Sequence, residues 1–255
     1  MPATQKIALL LASALMALPS CSTRNPEPSY QGRSFSQWYK SYAEATDRSD
    51  AQAKFQVEEA RHAMREMAPQ LVPILLNDLR AQIEKGTEPR IPPTCVFVVL
   101  GPRAAAAVPD LEAMMSQLPA PTQADLEASG RLGGARKDIA YCLAVIGDPA
   151  LPSIARFLGH PQPDTRYQTA YQFGGQLDSG DAFTHGTNLL QVIPPLIKCT
   201  QDENPETAIA AIRCLVAINM QPAETIPSLL KAESSPNDEV RKEAQTALAK
   251  IASRQ

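Results

Sequence analysis

A unit that recurs from about residue 50 onward constrains this chain more than any other feature. In each copy a helix of small and aliphatic residues ends near Gly or Pro, a short turn follows, and a second helix opens with Pro and an apolar run. The clearest copies are Met67-Ala68-Pro69-Gln70-Leu71-Val72-Pro73-Ile74-Leu75-Leu76, Leu100-Gly101-Pro102-Arg103 through Ala107-Val108-Pro109-Asp110-Leu111, and Ile146-Gly147-Asp148-Pro149-Ala150-Leu151-Pro152-Ser153-Ile154. Val192-Ile193-Pro194-Pro195-Leu196-Ile197 and Thr225-Ile226-Pro227-Ser228-Leu229-Leu230 are weaker copies. The marker prolines Pro73, Pro109, Pro152, Pro195 and Pro227 are separated by 36, 43, 43 and 32 residues, within the roughly 20–45 residues of stacked structural repeats. The first helices carry apolar stripes at helical spacing: Val57, Ala60, Met64 and Met67; Ile209, Ile212, Leu215 and Val216; Val240, Ala244, Ala247, Leu248 and Ile251. One hairpin cannot bury such a stripe alone, so neighbours must stack side by side.

Composition agrees with many short helices. Aromatic residues are only 5% of the chain while hydrophobic residues reach 44%, so packing falls to Ala, Leu, Ile and Val. Twenty-three prolines against twelve glycines fit helices that begin with Pro, whose missing N–H would be unpaired in a first turn anyway. Asn204 followed by Pro205 reads as a cap and first position, and either Asn237 or Asp238 caps the last helix. The net charge of -3, with no run of Lys and Arg, gives no electrostatic support to nucleic-acid binding.

The N-terminus has a separate logic. Lys6 precedes an unbroken apolar and small stretch from Ile7 to Leu18, long enough for a signal-peptide core and short of the ~20 residues that span a bilayer. Leu18-Pro19-Ser20-Cys21 resembles the lipobox of bacterial lipoproteins, which implies a signal peptide over 1–20 and lipid attachment at Cys21. The alternative is an ordinary secretory signal cut near Ser20. A flexible tether is expected over 21–33, with Pro26, Pro28 and Gly32. Ser22 resembles the pattern that sends such proteins onward, which implies a bacterial envelope location, lipid-anchored at the outer membrane and facing the periplasm.

The apolar helix, the Leu-Gly or Ile-Gly turn and the Ala-Val-Pro-x-Leu-like second helix resemble HEAT repeats of the bacterial type. Asp238-Glu239-Val240-Arg241 followed by Ala244, Ala247 and Leu248 is similar to that family's first-helix signature. The resemblance implies an all-α, right-handed α-solenoid over 49–255, with about five hairpins and a closing helix. It further implies second helices on the concave side, an Asp–Arg ladder between repeats, and a binding role. In the fourth hairpin the Arg and the Gly-marked turn look displaced. Ahead of the repeats, Gly32-Arg33-Ser34 through Trp38 resembles a segment that precedes HEAT repeats in envelope proteins. Ser34 and Gln37 form a capping box, and Phe35, Trp38, Tyr39 and Tyr42 share a face. A helix over 34–48 then caps the first hairpin, or serves as a partner site.

Two interruptions are expected, at 116–136 around Asp125 and Glu127, and at 174–190 in the fourth hairpin; each is a surface insertion or a functional loop. His62, His160 and His185 lie in different repeats, and Asp178, Asp181 and His185 form the only compact ligand-like group. That spacing matches no metal motif. Cys95, Cys142, Cys199 and Cys214 sit among apolar residues as expected buried thiols, with a Cys199–Cys214 disulfide open as an alternative. There is no Gly-x-Ser-x-Gly elbow or phosphate-binding Gly loop, and Glu58-Glu59 beside Arg61 and Arg65 reads as a solvated ion-pair face. No catalytic, cofactor or metal residue is assigned, and no cofactor is expected. The leading reading is a non-catalytic envelope scaffold that binds a protein partner, held to the membrane through lipid on Cys21. The alternatives are an enzyme or lyase-like activity in the concave groove, and a purely structural subunit of a larger envelope complex.

Overall fold

A computed structural model describes residues 26–86, 89–120, 131–179 and 187–253. The fold is an all-α solenoid. Five pairs of helices follow one another among the described residues: α2 (Ala51–Glu66) with α3 (Ala68–Lys85), α4 (Pro93–Leu100) with α5 (Val108–Gln117), α6 (Arg131–Ile146) with α7 (Leu151–Leu158), α8 (Pro163–Ser179) with α9 (Ile193–Cys199), and α10 (Pro205–Ile218) with α11 (Pro222–Ala232). Helix α12 (Asp238–Ala252) closes the stack. Short 3-10 turns at Gly101–Ala107, Asp148–Ala150 and Thr187–Val192 lead into α5, α7 and α9.

Stacking is visible within a single helix. Ala211, Cys214, Leu215 and Ile218 of α10 join the large core that runs back to Phe35. Ala208, Ile212 and Val216 of the same helix join a separate core with Leu229, Val240 and Ala244. Helix α10 therefore buries two stripes against two neighbours, and burying both is what makes the array continuous there. The apolar run Pro93–Gln117 has the length and composition to cross a membrane, but Gly101, at φ +52°, breaks it into α4, a 3-10 turn and α5. Val96, Phe97, Leu100 and Leu111 lie in the core.

The N-terminal end is closed by α1 (Phe35–Thr46) and a small antiparallel ribbon, β1 (Ser29–Tyr30) with β2 (Arg33–Ser34). The capping box forms, with Ser34 accepting from the Gln37 amide and Gln37 accepting from the Ser34 amide. Phe35 and Trp38 are buried, the Trp38 indole donates to the Tyr30 carbonyl at 3.1 Å, and the Arg33 guanidinium lies 3.8 Å over the Trp38 ring. The expected tether thus ends earlier than Arg33, because this ribbon folds back on α1 and gives Trp38 a polar partner.

Several other expectations are corrected. Pro73 and Pro227 lie inside α3 and α11, not in their first turns. Those helices begin earlier, at positions where the middle hairpins have 3-10 turns, so each gives up one helical hydrogen bond. Much of both expected interruptions is helical: residues 131–136 belong to α6 and 174–179 to α8, while Asp125 and Glu127 lie outside the described residues. Asn237, not Asp238, caps α12, and Asn204 caps α10 as its position implied.

Between α6 and α12 the successive first helices pack directly against one another. Small residues permit it. Ala170 and Gly174 of α8 face α10, where the Cys214 thiol donates to the Ala170 carbonyl at 3.3 Å, and a methyl on Gly174 would sit 3.1 Å from that sulfur.

The Arg ladder is more regular than the sequence showed. Arg166 occupies the same place in α8 that Arg241 occupies in α12, three residues beyond the first helical residue; only the acidic residue has moved. Arg166 donates to the His160 and Pro161 carbonyls of the loop before its own helix and, at 2.9 Å, to Asp202 of the next repeat. Arg136 likewise reaches back to the Leu118 and Pro119 carbonyls and forward to Gln162 and Thr165. Arg241 holds the Ser235 carbonyl and Asp238 of its own helix. Arg136 is fully buried, Arg166 is 15% exposed and Arg241 37% exposed, following their positions from the interior of the stack to its end.

Candidate functional site

The first-helix face is unusual for a chain with so few aromatics: of its six tyrosines, all but Tyr30 lie on first helices or the cap. Tyr39 and Tyr42 of α1 have ring centroids 6.3 Å apart, and the Arg61 guanidinium lies 5.8 Å from the Tyr42 ring. Cys95 and Val98, both exposed on α4, continue the face. Tyr141 of α6 follows, then Tyr167 and Tyr171 of α8, with centroids 5.7 Å apart and planes tilted by 42°. Spacings of three and four residues put each tyrosine pair on one side of its helix.

A groove of about 570 Å³ opens between α6, α8 and α10, lined by Tyr141, Tyr167, Tyr171, Gln172, Gly174, Gly175, Asp178, Glu206, Ile209 and Arg213. At Asp178 and Arg213 it meets a smaller cleft of about 230 Å³ against α12, with Glu243, Thr246 and Lys250. Burial raises the phenol pKa of Tyr141, as do Cys95, Cys142 and Tyr42 nearby. Burial also raises that of Tyr167, together with Glu206, Tyr171 and Asp164. Both phenols are neutral hydrogen-bonding groups at physiological pH. Arg213 is bound to Glu243 at 2.8 Å, and that bond raises its pKa despite partial burial.

The second-helix side has a different character. A cleft of about 380 Å³ there is lined by Val72, Pro73, Leu76, Arg80, Arg103 and Asp110. Its charges already pair across repeats, Arg80 with Asp110 at 3.3 Å and Arg103 with Glu66 at 3.2 Å. Further along, Glu112 takes Arg156 at 2.6 Å and the Ser153 hydroxyl. A third cleft, of about 500 Å³, lies on the ridge of loops beside His160, Arg166 and Asp202, where the ladder already occupies the polar groups.

The residues singled out from the sequence scatter. Cys21 lies outside the described residues, as do Asp181 and His185; Asp178 lies in the groove. His62 meets the Tyr30 hydroxyl at 3.4 Å. His160 accepts from the Gln162 amide at Nδ1, at 3.2 Å. Among the described residues, no three His, Cys, Asp or Glu side chains converge to hold a metal. Cys199 and Cys214 are free, each donating to a helix carbonyl, at Leu158 and Ala170. Burial pushes the Cys199 thiol up to about 11 and raises those of Cys214 and Cys142, so none is a thiolate at neutral pH. Cys95 departs from its expected burial, because its position on α4 faces outward between Tyr39 and Tyr141. The tyrosine face is assembled from separate helices, and the Tyr167–Tyr171 spacing is its one signal in the sequence.

Fold and face together define a helical-repeat solenoid. Within it, residues 193–255 match the HEAT repeats family. Among curated proteins no match is found. Among solved structures, the chain is similar to an engineered protein at 17% identity and a TM-score of 0.41, covering 86% of this chain and 90% of that one. It is also similar to a designed armadillo repeat protein in complex with the peptide (KR)4, at 15% identity and a TM-score of 0.42, covering 82% and 98%. A second designed armadillo repeat protein, at 14% identity and a TM-score of 0.39, covers the same shares.

Proposed function

We propose that this protein is a non-catalytic scaffold that binds a protein partner along its first-helix face, anchored to the bacterial envelope by lipid on Cys21. The observation that carries the binding reading is the continuity of that face: Tyr39, Cys95, Tyr141 and Tyr171 follow one another across the cap and the three first helices α4, α6 and α8, ending at an open groove. Tyrosine offers apolar area and a hydroxyl at little entropic cost, which is why it is enriched where proteins meet. The cleft on the second-helix side, with Arg80 and Arg103 already paired, offers less to a partner.

Photocrosslinkers placed at Val98 and Tyr171, and separately at Ile74 and Leu230 on second helices, test this in cells. Adducts from the first pair alone support the reading; adducts from the second pair alone reject it. The anchor rests on the lipobox resemblance, and Cys21→Ala is expected to release the protein from the membrane fraction. Retention of that variant in the membrane would reject lipidation.

A further inference from the structure

We infer that the groove between α6, α8 and α10 receives an extended segment of a partner protein bearing arginine or lysine, an inference that rests on the proposed binding role of this face. Three features converge. Tyr167 and Tyr171 present paired rings at 5.7 Å, and Tyr171 is 54% exposed, so a cation can lie over a ring face that carries negative quadrupole charge. Glu206 stands beside Tyr167, and Asp178 beside Arg213. Neither carboxylate has an ion pair among the described residues, and Arg213 does not cancel Asp178 because Glu243 holds it at 2.8 Å.

The third feature is polar and buried. Gln172 lines the groove and is only 8% exposed, yet its Nε2 has no hydrogen-bond partner. A buried donor left unpaired is costly. A turn of the Gln172 side chain toward the groove would let a peptide carbonyl satisfy it, and the run of the groove across α6, α8 and α10 to the next cleft favours an extended main chain over a free cation. Acidic segments would meet Asp178 and Glu206 unfavourably, and a purely apolar segment would leave both carboxylates desolvated and unpaired. Gly174 and Gly175 keep that stretch of α8 free of side chains, leaving room for the chain.

The test uses three labelled octapeptides, alternating Arg-Ser, Gln-Ser and Glu-Ser, titrated into the full-length protein by fluorescence polarisation at two salt concentrations. The Arg-Ser peptide is expected to bind at least about tenfold tighter than Gln-Ser, with Glu-Ser weakest. Tyr171→Ala and Glu206→Gln, both at exposed positions that leave the fold intact, are each expected to weaken it by about tenfold, while Arg103→Ala on the opposite face leaves it unchanged. Equal binding of Gln-Ser or Glu-Ser that still depends on Tyr171 would overturn the basic assignment and leave the groove a peptide site. Arg-Ser binding insensitive to both substitutions would reduce it to attraction by net charge and overturn the inference, as would no binding by any peptide. Failure of the face as a whole appears separately, as crosslinks from Ile74 and Leu230.

Discussion

The two layers of the stack are built from the same repeats, yet they finish their chemistry differently. On the second-helix side, Arg80, Arg103 and Arg156 each find a carboxylate. On the first-helix side, small residues bring helices close and push larger polar and aromatic groups outward, where Tyr171, Glu206 and Asp178 keep unspent capacity. A repeat protein differentiates its two surfaces by deciding which layer packs with Ala and Gly.

The largest expected effect lies at the ladder, which ties successive repeats together beneath both layers. Arg136→Ala removes a fully buried guanidinium from Asp164, Thr165 and the Leu118 and Pro119 carbonyls, and is expected to cost about 3 kcal/mol in chemical denaturation. Arg166→Ala, partly exposed, is expected to cost about 2 kcal/mol, and Arg241→Ala, at the end of the stack, less than about 1 kcal/mol. Equal losses at all three would show that position in the array does not govern the rungs. Gly174→Val sharpens the contrast between the layers. It forces methyls toward the Cys214 sulfur and is expected to destabilise by about 1–3 kcal/mol, whereas Ile74→Val, at an exposed second-helix site, should change stability by less than about 0.5 kcal/mol.

These cases also show what was legible in the sequence. Periodic apolar stripes and marker prolines specify stacked hairpins, because burial demands them and a single hairpin cannot supply it. Asn204 and Ser34 announced their caps through local chemistry alone. Arg136 and the tyrosine face were not legible. Arg136 follows Gly133 and Gly134 in a stretch that reads as a loop, and its burial depends on Gln162 and Thr165 of the next repeat. The face depends on how successive first helices pack side by side, as where Gly174 meets Cys214, a contact between helices that no local pattern reveals. The same distance effect hid the exposure of Cys95.

The smallest effect expected is electrostatic. Burial, with Arg136 and Arg166 nearby, lowers the His160 pKa below its ordinary value. The fold therefore prefers the neutral ring, and between the folded and unfolded pKa values the unfolded chain binds more protons. Stability contributed here is fully present above about pH 6.5, the unfolded value, and is lost as pH falls from there through the lower folded value. His160→Gln should flatten this slope between pH 7 and 5 in urea titrations; an unchanged slope would remove His160 from the account.

Hydroxyl-radical footprinting of the protein in intact cells, with and without disruption of assemblies by mild detergent, tests the central claim most directly. The account predicts that Tyr141, Tyr167 and Tyr171 are protected in the intact assembly and become reactive on disruption, while Ile74 and Leu230 react equally in both. Protection of Ile74 and Leu230, with the tyrosines unchanged, would place the partner on the second-helix side and contradict it.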